Sequence, residues 1–205
     1  QKTGLYPTVY HVLLGNEPAE KAIRKTVLPR LSLLPSDIDL VGAEIELVGL
    51  ERREHRLKST LAPAVGPFEY VIIDCPPSLG LLTINALVAA AGVLVPLQCE
   101  FYALDGLSSL MDTIKAVKQS VNPILEIEGL LRTMFDVRNN LGNQVSNQLI
   151  KHFGDKVFRT IVPRNVRLAE APSHGQPVIT YDMQSKGAQA YLALAGELLR
   201  RDEAA

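Results

Sequence analysis

The chain has 205 residues, of which 47% are hydrophobic and 21% are charged, and its formal net charge at pH 7 is −1. This balance is typical of a globular protein with a sizeable core, and it excludes a protein that is basic over its whole surface. The longest apolar stretch, residues 86–97, is interrupted by Gly92 and Pro96; it falls short of the roughly 20 residues that span a bilayer, so the sequence predicts no membrane helix.

The first half of the chain is predicted to contain mostly helices. Thr8 and Gly15 frame a short apolar-periodic segment, which indicates a capped helix. A longer segment from Leu40 to Leu61 combines helical spacing with charged residues between the apolar ones. In chain order, helices are predicted over 9–14, 18–26, 40–61 and 81–91, and strands over 31–34 and 70–74.

Strands and helices alternate in the second half. Strands are predicted over 93–97, 127–134 and 157–162, and helices over 104–121, 144–153 and 187–201. Alternation at these lengths predicts βαβ units, so the expected fold class is α/β with a mostly parallel, doubly wound sheet and helices on both faces. The last helix is expected to turn one apolar stripe to the core, formed by Ala188, Tyr191, Leu192, Ala195, Leu198 and Leu199.

The segment from Tyr70 to Ser78 carries the most specific chemistry. An apolar run ends at Asp74, and Cys75 and two prolines follow it. A continuous Val/Ile run is typical of a buried parallel strand, whose carboxyl end is where open α/β sheets bind ligands. The prolines cannot extend a hydrogen-bonded ladder, which leaves Ser78 free to cap the next helix. We therefore expect Asp74 at the rim of a ligand crevice.

Such an aspartate holds Mg²⁺ beside the phosphates in P-loop nucleotide hydrolases, where a glycine-rich loop ending in Gly-Lys-Ser/Thr binds the phosphates. None of the 14 glycines here is followed by lysine, and no two of them have the G-x-G spacing of dinucleotide-binding loops. The sequence therefore shows only the metal-side half of a nucleotide site.

The two cysteines, Cys75 and Cys99, lack C-x-x-C spacing. This argues against a disulfide framework or a zinc site, and it fits a reducing cytosol. Both cysteines are predicted to be small buried apolar residues.

Positive charge is concentrated in one window of the chain. Residues 132–167 contain seven basic and two acidic residues, a net charge of +5. A local basic surface on a mildly acidic protein suits reversible contact with a phosphate backbone. The alternative is a scatter of solvated charges around one helix.

Four strings of residues at predicted strand ends closely resemble the ParA/Soj family of chromosome- and plasmid-partitioning ATPases. They are Asp74–Ser78, Gln98–Gly106, Thr133–Asp136 and Pro163–Ser173, and the last is the most specific. The resemblance covers almost the whole chain. In this family a preceding segment carries a deviant Walker A loop with a signature lysine, so the resemblance implies that residues 1–205 form a single ATPase domain whose first βα unit is missing.

The resemblance also implies roles in nucleotide binding. Asp74 matches the Walker B aspartate, which supports Mg²⁺ from outside its direct ligands and positions the attacking water. Met134 and the turn of Pro163, Arg164 and Asn165 match the region that packs around adenine. The alternatives are a helix-cap or loop carboxylate for Asp74, a core methionine, and an ordinary turn proline.

Two arginines match residues that bind DNA without sequence preference in the ATP-bound dimer of the family. They are Arg138 and Arg167, and both lie in the basic window. The alternative for each is a surface salt bridge, which contributes about 0–1 kcal/mol. Glu100 and Asp105 also match a family motif, although carboxylates at a helix N-terminus account for them equally well.

The resemblance implies an ATPase that uses ATP and Mg²⁺, forms a homodimer when it binds ATP, and binds non-specific double-stranded DNA. A ParB-type partner would stimulate hydrolysis, and the protein would be cytoplasmic, associated with the nucleoid and not with a membrane. Two alternatives stay open: a non-catalytic interaction module without a phosphate loop, and a MinD-like septum-site ATPase, although the basic amphipathic tail of the latter is not seen here.

Overall fold

Residues 5–76 and 78–203 are described from a computed structural model of the chain. Pro77, the second proline after Asp74, lies outside the described residues. The chain divides into two compact units. The first comprises the residues up to Ala91 and Asp112–Leu125, and the second comprises Gly92–Met111 and the residues from Glu126 onward.

The first unit is mainly helical. A two-residue antiparallel ladder pairs Arg24 with Leu33 and Lys25 with Ser32. The elements are α1 (Val9–Leu14), α2 (Ala19–Ala22), β1 (Arg24–Lys25), β2 (Ser32–Leu33), α3 (Leu40–Val48), a 3₁₀ turn (Arg53–His55), α4 (Arg56–Leu61) and α5 (Leu81–Ala89).

The second unit contains a parallel sheet of three strands in the order β3-β4-β5. Its strands are β3 (Gly92–Gln98), β4 (Glu126–Phe135) and β5 (Val157–Pro163). Its helices are α7 (Asn140–Phe153), α8 (Val166–Glu170), α9 (Val178–Tyr181) and α10 (Lys186–Asp202), and α6 (Ala103–Ser120) contributes residues to both units. Shorter 3₁₀ turns cover Gly154–Lys156 and Ala171–His174.

Helices cover both faces of this sheet. Successive side chains of a strand point to opposite faces. Leu130 accordingly lies in a core with residues of α6 and α7, whereas its neighbour Leu131 lies in a second core with residues of α10. Val157 and Phe158 of β5 divide between the two cores in the same way. The predicted α/β class with a parallel sheet is confirmed.

The predicted helix at Thr8 is confirmed, and its end shows how a helix terminus is satisfied. Gly15 adopts a left-handed conformation with φ of 81°, which ends α1 in the way that glycine permits best. The Arg56 guanidinium donates hydrogen bonds to the carbonyls of Leu13 and Leu14 at 3.3 and 2.8 Å. A cation at a helix C-terminus complements the helix dipole, so this contact joins α1 to α4.

Three predictions for residues 18–61 of the first unit need correction. Within the helix predicted over 18–26, only the four residues of α2 are helical, because β1 begins two residues after α2 ends. The strand predicted over 31–34 is shorter than expected and consists of the two residues of β2. The helix predicted over 40–61 is interrupted after Val48, where Gly49 follows α3 and Arg52 takes a left-handed conformation with φ of 51°. A turn therefore separates α3 from α4.

The strand predicted over 70–74 is wrong. This segment has no regular secondary structure, and most of its side chains are exposed, Ile72 by 92% and Tyr70 by 58%, whereas Ile73 is partly buried against the core of the first unit. A strand requires a neighbour that accepts its backbone hydrogen bonds, and no described strand pairs with these residues. Cys75 is likewise exposed, so the prediction that both cysteines are buried holds only for Cys99.

The predicted capping role of Ser78 is also wrong. The N-cap of α5 is Gly80, and the carbonyl of Ser78 instead accepts a hydrogen bond from Thr83 Oγ1 at 2.6 Å. The Glu44 carboxylate from α3 reaches the start of α5 and accepts from the backbone N–H of Leu82 at 3.3 Å. A carboxylate at this position also complements the dipole of α5. The cap therefore comes from another helix.

A buried amide holds α5 against the 3₁₀ turn and α4. Asn85 is 1% exposed. Its Oδ1 accepts from the N–H of Leu57 at 3.0 Å, and its Nδ2 donates to the carbonyls of Arg53 and Leu81 at 2.9 and 3.0 Å. Because unpaired buried polar groups are costly, these bonds select one arrangement of the helices.

The apolar stripe predicted for the last helix is correct only in part. Ala188 is completely buried and Leu198 packs against the core on the sheet, as predicted. Tyr191, Leu192 and Leu199 are instead 42–50% exposed, and Ala190 and Leu194, which the prediction omits, pack beside Leu198. Apolar residues occur on more than one side of α10, so periodicity alone does not identify the buried face.

A buried carboxylate fixes α10 to β5. Glu197 is 8% exposed and accepts hydrogen bonds from the backbone N–H groups of Arg159 and Thr160 at 2.8 and 2.9 Å, and from Thr160 Oγ1 at 2.7 Å. Arg201 pairs with it at 3.2 Å and lies over the Phe158 ring at 4.1 Å. Burial favours the neutral acid, but these donors outweigh that effect and lower the pKa of Glu197 to about 2.

None of the helices in the described ranges is long and apolar enough to cross a membrane.

We expect Glu197→Gln to destabilise the protein at pH 7 by about 2–3 kcal/mol. The glutamine amide lacks the negative charge to which the four donors bond in the wild type. A carboxyl whose pKa falls from 4.5 to about 2 on folding adds stability that is complete above about pH 4.5 and is lost as the pH falls toward 2. The difference in the free energy of unfolding between wild type and Glu197→Gln should therefore be smaller at about pH 3 than at pH 7. Urea unfolding followed by circular dichroism at both pH values measures this difference.

Glu203→Gln is the matched control, since Glu203 is exposed at the end of the same helix. It should change the free energy of unfolding by less than about 0.5 kcal/mol at either pH. A pH-independent effect of Glu197→Gln would contradict the assignment of an ionised, depressed carboxyl.

Candidate functional site

The three parallel strands of the second unit place several predicted site residues at one edge of the sheet. Gln98 is in register with Thr133, and Phe135 is in register with Pro163. The N–H of Arg164 extends this ladder by donating to the carbonyl of Phe135 at 3.2 Å. The turn after β5 is therefore fixed beside the end of β4, as the sequence predicts for a shared crevice.

Met134 has an unusual backbone at this edge. Its φ is 51°, in the left-handed region where a residue with a Cβ is disfavoured by about 1–2 kcal/mol. Its side chain is 42% exposed, so Met134 is not a core methionine. A strained residue with an exposed apolar side chain at the carboxyl edge is a typical feature of a ligand site.

Asn165 organises the start of α8. Its Oδ1 accepts a hydrogen bond from the N–H of Arg167 at 3.0 Å, which is the usual role of an N-cap asparagine. Asn165 therefore ends the turn of Pro163–Asn165 and begins the helix that carries Arg167. The structure thus brings Met134 and the Pro163–Asn165 turn to the same edge.

Arg138 is held by a neighbouring carboxylate. Its Nε and Nη2 donate to the two oxygens of Asp136 at 2.9 and 2.7 Å, and its backbone N–H also donates to Asp136 at 3.0 Å. These bonds, together with the charge of Arg164, lower the pKa of Asp136 to about 2. The Arg138 side chain is nevertheless 86% exposed. It lies in the loop between β4 and α7, on the same edge as Met134.

Arg167 is likewise paired. Its Nη1 lies 2.8 Å from Glu170 Oε2 and its Nε lies 3.2 Å from Asp182 Oδ2. The side chain is about half exposed, with 49% of its surface accessible. The surface salt bridges considered for both arginines are present, and both guanidinium groups remain accessible to solvent.

The basic window does not form one surface. Arg132 is buried, with 7% exposed, and it donates to Ser146 Oγ at 3.0 Å and to the Phe158 carbonyl at 2.8 Å. Burial lowers its pKa. Lys156, which donates to the carbonyl of Ile127, lies at the amino end of β5, opposite the edge that carries Met134. The arginines at the carboxyl edge are Arg138, Arg164 and Arg167.

Asp74 belongs to the first unit, and the other candidates belong to the second. Its carboxylate is exposed in the irregular segment that precedes α5. It does not cap that helix, since the N-cap is Gly80. The alternatives to a metal role were a helix-capping carboxylate and a loop carboxylate. Only the second is compatible with this position of Asp74.

Glu100 and Asp105 lie at the start of α6. Asp105 is in its first turn, and the carbonyl of Glu100 accepts from the N–H of Ala103 at 3.1 Å. Both positions suit carboxylates that interact with the helix dipole. A shallow groove of about 480 Å³ separates the carboxyl half of β3 from this helix start, with the exposed rings of Phe101 and Tyr102 at its rim.

Two carboxylate contacts were not predicted from the sequence. Asp136 was named only as the end of a family motif, although it precedes Arg138 by two residues, a spacing typical of an Asx turn that could have identified their ion pair. Glu44, which caps α5, gave no such signal, because its partner Leu82 is 38 residues away in the chain.

The class of protein follows from the fold together with a family comparison. Residues 1–127 match the family model described as an AAA domain. The crystal structure of cobyrinic acid a,c-diamide synthase from Mycobacterium smegmatis with bound ATP analog and magnesium has 38% sequence identity to the chain. It superposes with a TM-score of 0.83 over 99% of this chain and 75% of that one. The chain therefore has the fold of a P-loop ATPase.

Two curated relatives define the family more narrowly. The chromosome partitioning protein ParA of Myxococcus xanthus is 53% identical over 95% of this chain and 69% of its own length. The sporulation initiation inhibitor protein Soj of Bacillus subtilis is 50% identical over 97% of this chain and 78% of its own length. The chain belongs to the ParA/Soj family of chromosome-partitioning ATPases, as its strand-end motifs predict.

Proposed function

We propose that residues 1–205 are part of a single ParA-type ATPase domain that partitions a chromosome or plasmid in the cytoplasm, in association with the nucleoid. The ATP-bound protein forms a homodimer that binds double-stranded DNA without sequence preference. A ParB-type partner stimulates hydrolysis, which releases the DNA. Nucleotide thereby controls how long the protein stays on DNA.

One observation carries this proposal: Met134, the Pro163–Asn165 turn, Arg138 and Arg167 lie at one carboxyl edge of the parallel sheet. They occur in a chain that is 53% identical to a chromosome partitioning protein. Ligands of open α/β sheets bind at this edge. The base-binding and DNA-binding candidates therefore occupy the part of the fold where such functions are expected.

The residues at the edge suit an adenine base. The half-exposed Met134 side chain offers an apolar surface, and the ladder between Phe135 and Arg164 fixes the adjacent turn. An apolar contact combined with backbone polar groups is the usual way in which proteins bind a flat heterocycle. In our proposal Met134 and Pro163 pack on the base, and Arg164 and Asn165 form the turn beside its edge.

Asp74 suits a role beside Mg²⁺, because it is an exposed carboxylate and carboxylate oxygens are preferred by Mg²⁺. Bound Mg²⁺ neutralises charge on the phosphates during phosphoryl transfer. We propose that Asp74 supports the ion through the groups that ligate it and orients the water that attacks. The phosphate-binding lysines of the family are not among these 205 residues.

The arginines suit DNA because they are exposed and charged and can bind phosphates without reading bases. Each phosphate contact adds a salt-sensitive contribution to affinity. Two subunits that present the same arginines together multiply the effect. The DNA-binding surface proposed here consists of Arg138 and Arg167, which exchange their carboxylate partners for phosphates.

In the full-length protein, Asp74→Asn should lower the rate of ATP hydrolysis by about 100-fold or more, because the amide lacks the negative charge that supports Mg²⁺ and orients the attacking water. ATP and Mg²⁺ should still raise its melting temperature, since ligand binding to the native state stabilises it. Phosphate release and thermal unfolding measure the two effects. Asp112→Asn, at an exposed residue of the same unit, should leave both unchanged; full activity of Asp74→Asn would refute the metal-side role.

Arg138→Ala and Arg167→Ala should each weaken the ATP-dependent binding of a short DNA duplex by the full-length protein. The slope of log affinity against log salt should fall by about 1 for each phosphate contact that is lost. Fluorescence anisotropy over a range of KCl concentrations measures this slope. Nucleotide binding should be unaffected, because neither arginine belongs to the proposed base-binding group.

Lys156→Ala is the matched control, since it removes one positive charge from the basic window at the opposite end of β5. It should change the affinity less than either arginine variant and leave the slope intact. Equal effects of all three variants would indicate a diffuse charge effect and would contradict a DNA surface at the carboxyl edge.

Asp136→Asn should strengthen DNA binding by about two- to fivefold, because Arg138 no longer leaves a carboxylate when it binds a phosphate and because a surface ion pair contributes about 0.2–1 kcal/mol. The gain should disappear when Arg138 is also replaced by alanine. The same anisotropy titration measures both.

Asp155→Asn is the matched control, because it also removes one negative charge from an exposed residue, but from one that is not part of the Asp136–Arg138 ion pair. A gain from Asp155→Asn as large as that from Asp136→Asn would show that only net charge matters. A loss of affinity in Asp136→Asn would show that the carboxylate holds Arg138 in its binding position.

A further inference from the structure

The hairpin formed by β1 and β2 carries positive charge that the proposed site does not use. We call residues 24–33 the basic hairpin. Residues 21–36 contain four basic residues and no acidic residue, and the basic ones are Lys21, Arg24, Lys25 and Arg30. This stretch belongs to the first unit and lies outside the basic window of residues 132–167. A local excess of positive charge attracts an anionic partner.

Two of these four cations have roles within the fold. Lys21 pairs with Glu17 at 3.2 Å. The Arg24 guanidinium donates hydrogen bonds to the carbonyls of Lys21 and Tyr6, the second at 2.7 Å. Arg24 therefore ties the base of the hairpin to the chain that precedes it, and neither side chain is the best candidate for contact with a partner.

Lys25 and Arg30 are the cations that remain. Both are exposed, and neither side chain has a hydrogen bond or an ion pair within residues 5–76 and 78–203. They differ in this from Arg138 and Arg167, whose guanidinium groups are paired with carboxylates. A cation without such a partner binds a phosphate without first giving up an ion pair, which at a surface contributes about 0–1 kcal/mol.

The carboxylates near the hairpin in the chain are mostly engaged elsewhere. Glu17 accepts from Lys21 and also from the Tyr6 hydroxyl at 3.1 Å, and Asp37 accepts from the N–H of Asp39 at 3.2 Å. Glu20, on α2, is the remaining one.

The residues that pack beside α2 add no further acid. Leu61 and Ala64 share a small core with α2 and Leu34, and residues 56–68 contain Arg56 and Lys58 but no acidic residue. The surroundings of the hairpin are therefore positive on balance.

The register of the hairpin gives it one polar face. Lys25 is paired with Ser32 and Arg24 with Leu33. Residues directly opposite each other lie on the same face, and successive residues of a strand alternate between faces. Lys25 and Ser32 therefore lie on one face, and Arg24 and Leu33 lie on the other.

The loop of the hairpin is closed by a threonine. Thr26 Oγ1 donates to the carbonyl of Leu31 at 2.9 Å and accepts from the N–H of Leu28 at 3.1 Å. Arg30 lies in this loop in a left-handed conformation with φ of 66°. These bonds hold the loop in one shape, so Lys25 and Arg30 are presented from a fixed backbone.

We propose that the basic hairpin is a second contact with the phosphate backbone of double-stranded DNA, in addition to the arginines of the carboxyl edge. This inference rests on the proposed function, because it assigns a further contact to the DNA that the protein binds. Lys25 and Arg30 bind phosphate oxygens, and the Ser32 hydroxyl on the face of Lys25 can donate to one. Such contacts read no bases, which suits binding without sequence preference.

The placement of the apolar side chains favours DNA over an anionic membrane. A segment that binds a membrane surface inserts apolar side chains beside its cations. Leu33, which is 54% exposed, lies on the face opposite Lys25. Val27, at the tip, is a single exposed valine, which is ordinary for a protein surface. A polar anionic surface is therefore the better complement to the face that carries Lys25.

The test measures binding of a fluorescein-labelled DNA duplex to the full-length protein with ATP and Mg²⁺, by anisotropy over a range of KCl concentrations. Lys25→Ala/Arg30→Ala should weaken binding at least about 10-fold at low salt. The slope of log affinity against log salt should fall by about 2 or more, because each subunit loses two phosphate contacts. Lys25→Arg/Arg30→Lys keeps both charges and should keep the slope.

Arg52→Ala/Lys115→Ala is the matched control, because it removes two exposed cations of the same unit from outside the hairpin. It should leave the slope unchanged. The melting temperature of Lys25→Ala/Arg30→Ala should equal that of wild type, because neither side chain is buried. Sedimentation with phosphatidylglycerol vesicles tests the membrane separately, and neither wild type nor the variant should bind them.

Four results would overturn the inference. An unchanged slope in Lys25→Ala/Arg30→Ala, while Arg138→Ala lowers it, would remove the hairpin from the DNA surface and leave the proposed function intact. Equal losses in the hairpin variant and its control would show a diffuse charge effect. Vesicle binding that the hairpin variant abolishes would assign the hairpin to a membrane. A marked fall in the melting temperature of that variant would show that another part of the full-length protein covers the hairpin.

Failure of the proposed function gives a different result. Wild-type protein that binds no duplex in the presence of ATP would refute both the proposed function and this inference.

Discussion

Backbone hydrogen bonding between parallel strands is the constraint on which the second unit depends. The register of β3, β4 and β5 fixes which strand ends adjoin, and it carries the turn after β5 to the end of β4. Both faces of the sheet are covered, because alternate side chains of each strand enter different cores. The carboxyl edge is then the part of the sheet left for ligands, and Met134 takes its strained conformation there.

Buried polar groups determine how the helices are fixed. Glu197 joins α10 to β5, Arg132 joins β4 to α7 and β5, and Asn85 joins α5 to the 3₁₀ turn and α4. Apolar packing tolerates small shifts between elements, whereas a buried hydrogen bond requires one geometry and is costly to leave unpaired. These residues select the arrangement of helices and strands within each unit.

Charge has to be placed in three dimensions before it can be assigned a function. The basic window contains one arginine that stabilises the core, a lysine at the amino end of the sheet, and the arginines of the carboxyl edge. Arg138 and Arg167 are held by carboxylates in the structure described here. In the proposed DNA-bound state these carboxylates compete with phosphate, so DNA affinity depends on the acidic residues as well as on the arginines.

The sequence by itself determined the α/β class, the family and, to within a few residues, every predicted strand and helix of the second unit, because apolar periodicity and strand-end motifs are local. Only the tertiary structure decided the rest. Residues 70–74 are apolar enough for a strand but have no strand beside them among the described residues, and a ladder needs two strands. The buried face of α10, the capping of α5 by Glu44 and the pairing of Arg167 with Asp182 likewise depend on residues that are distant in the chain, and periodicity carries no information about those.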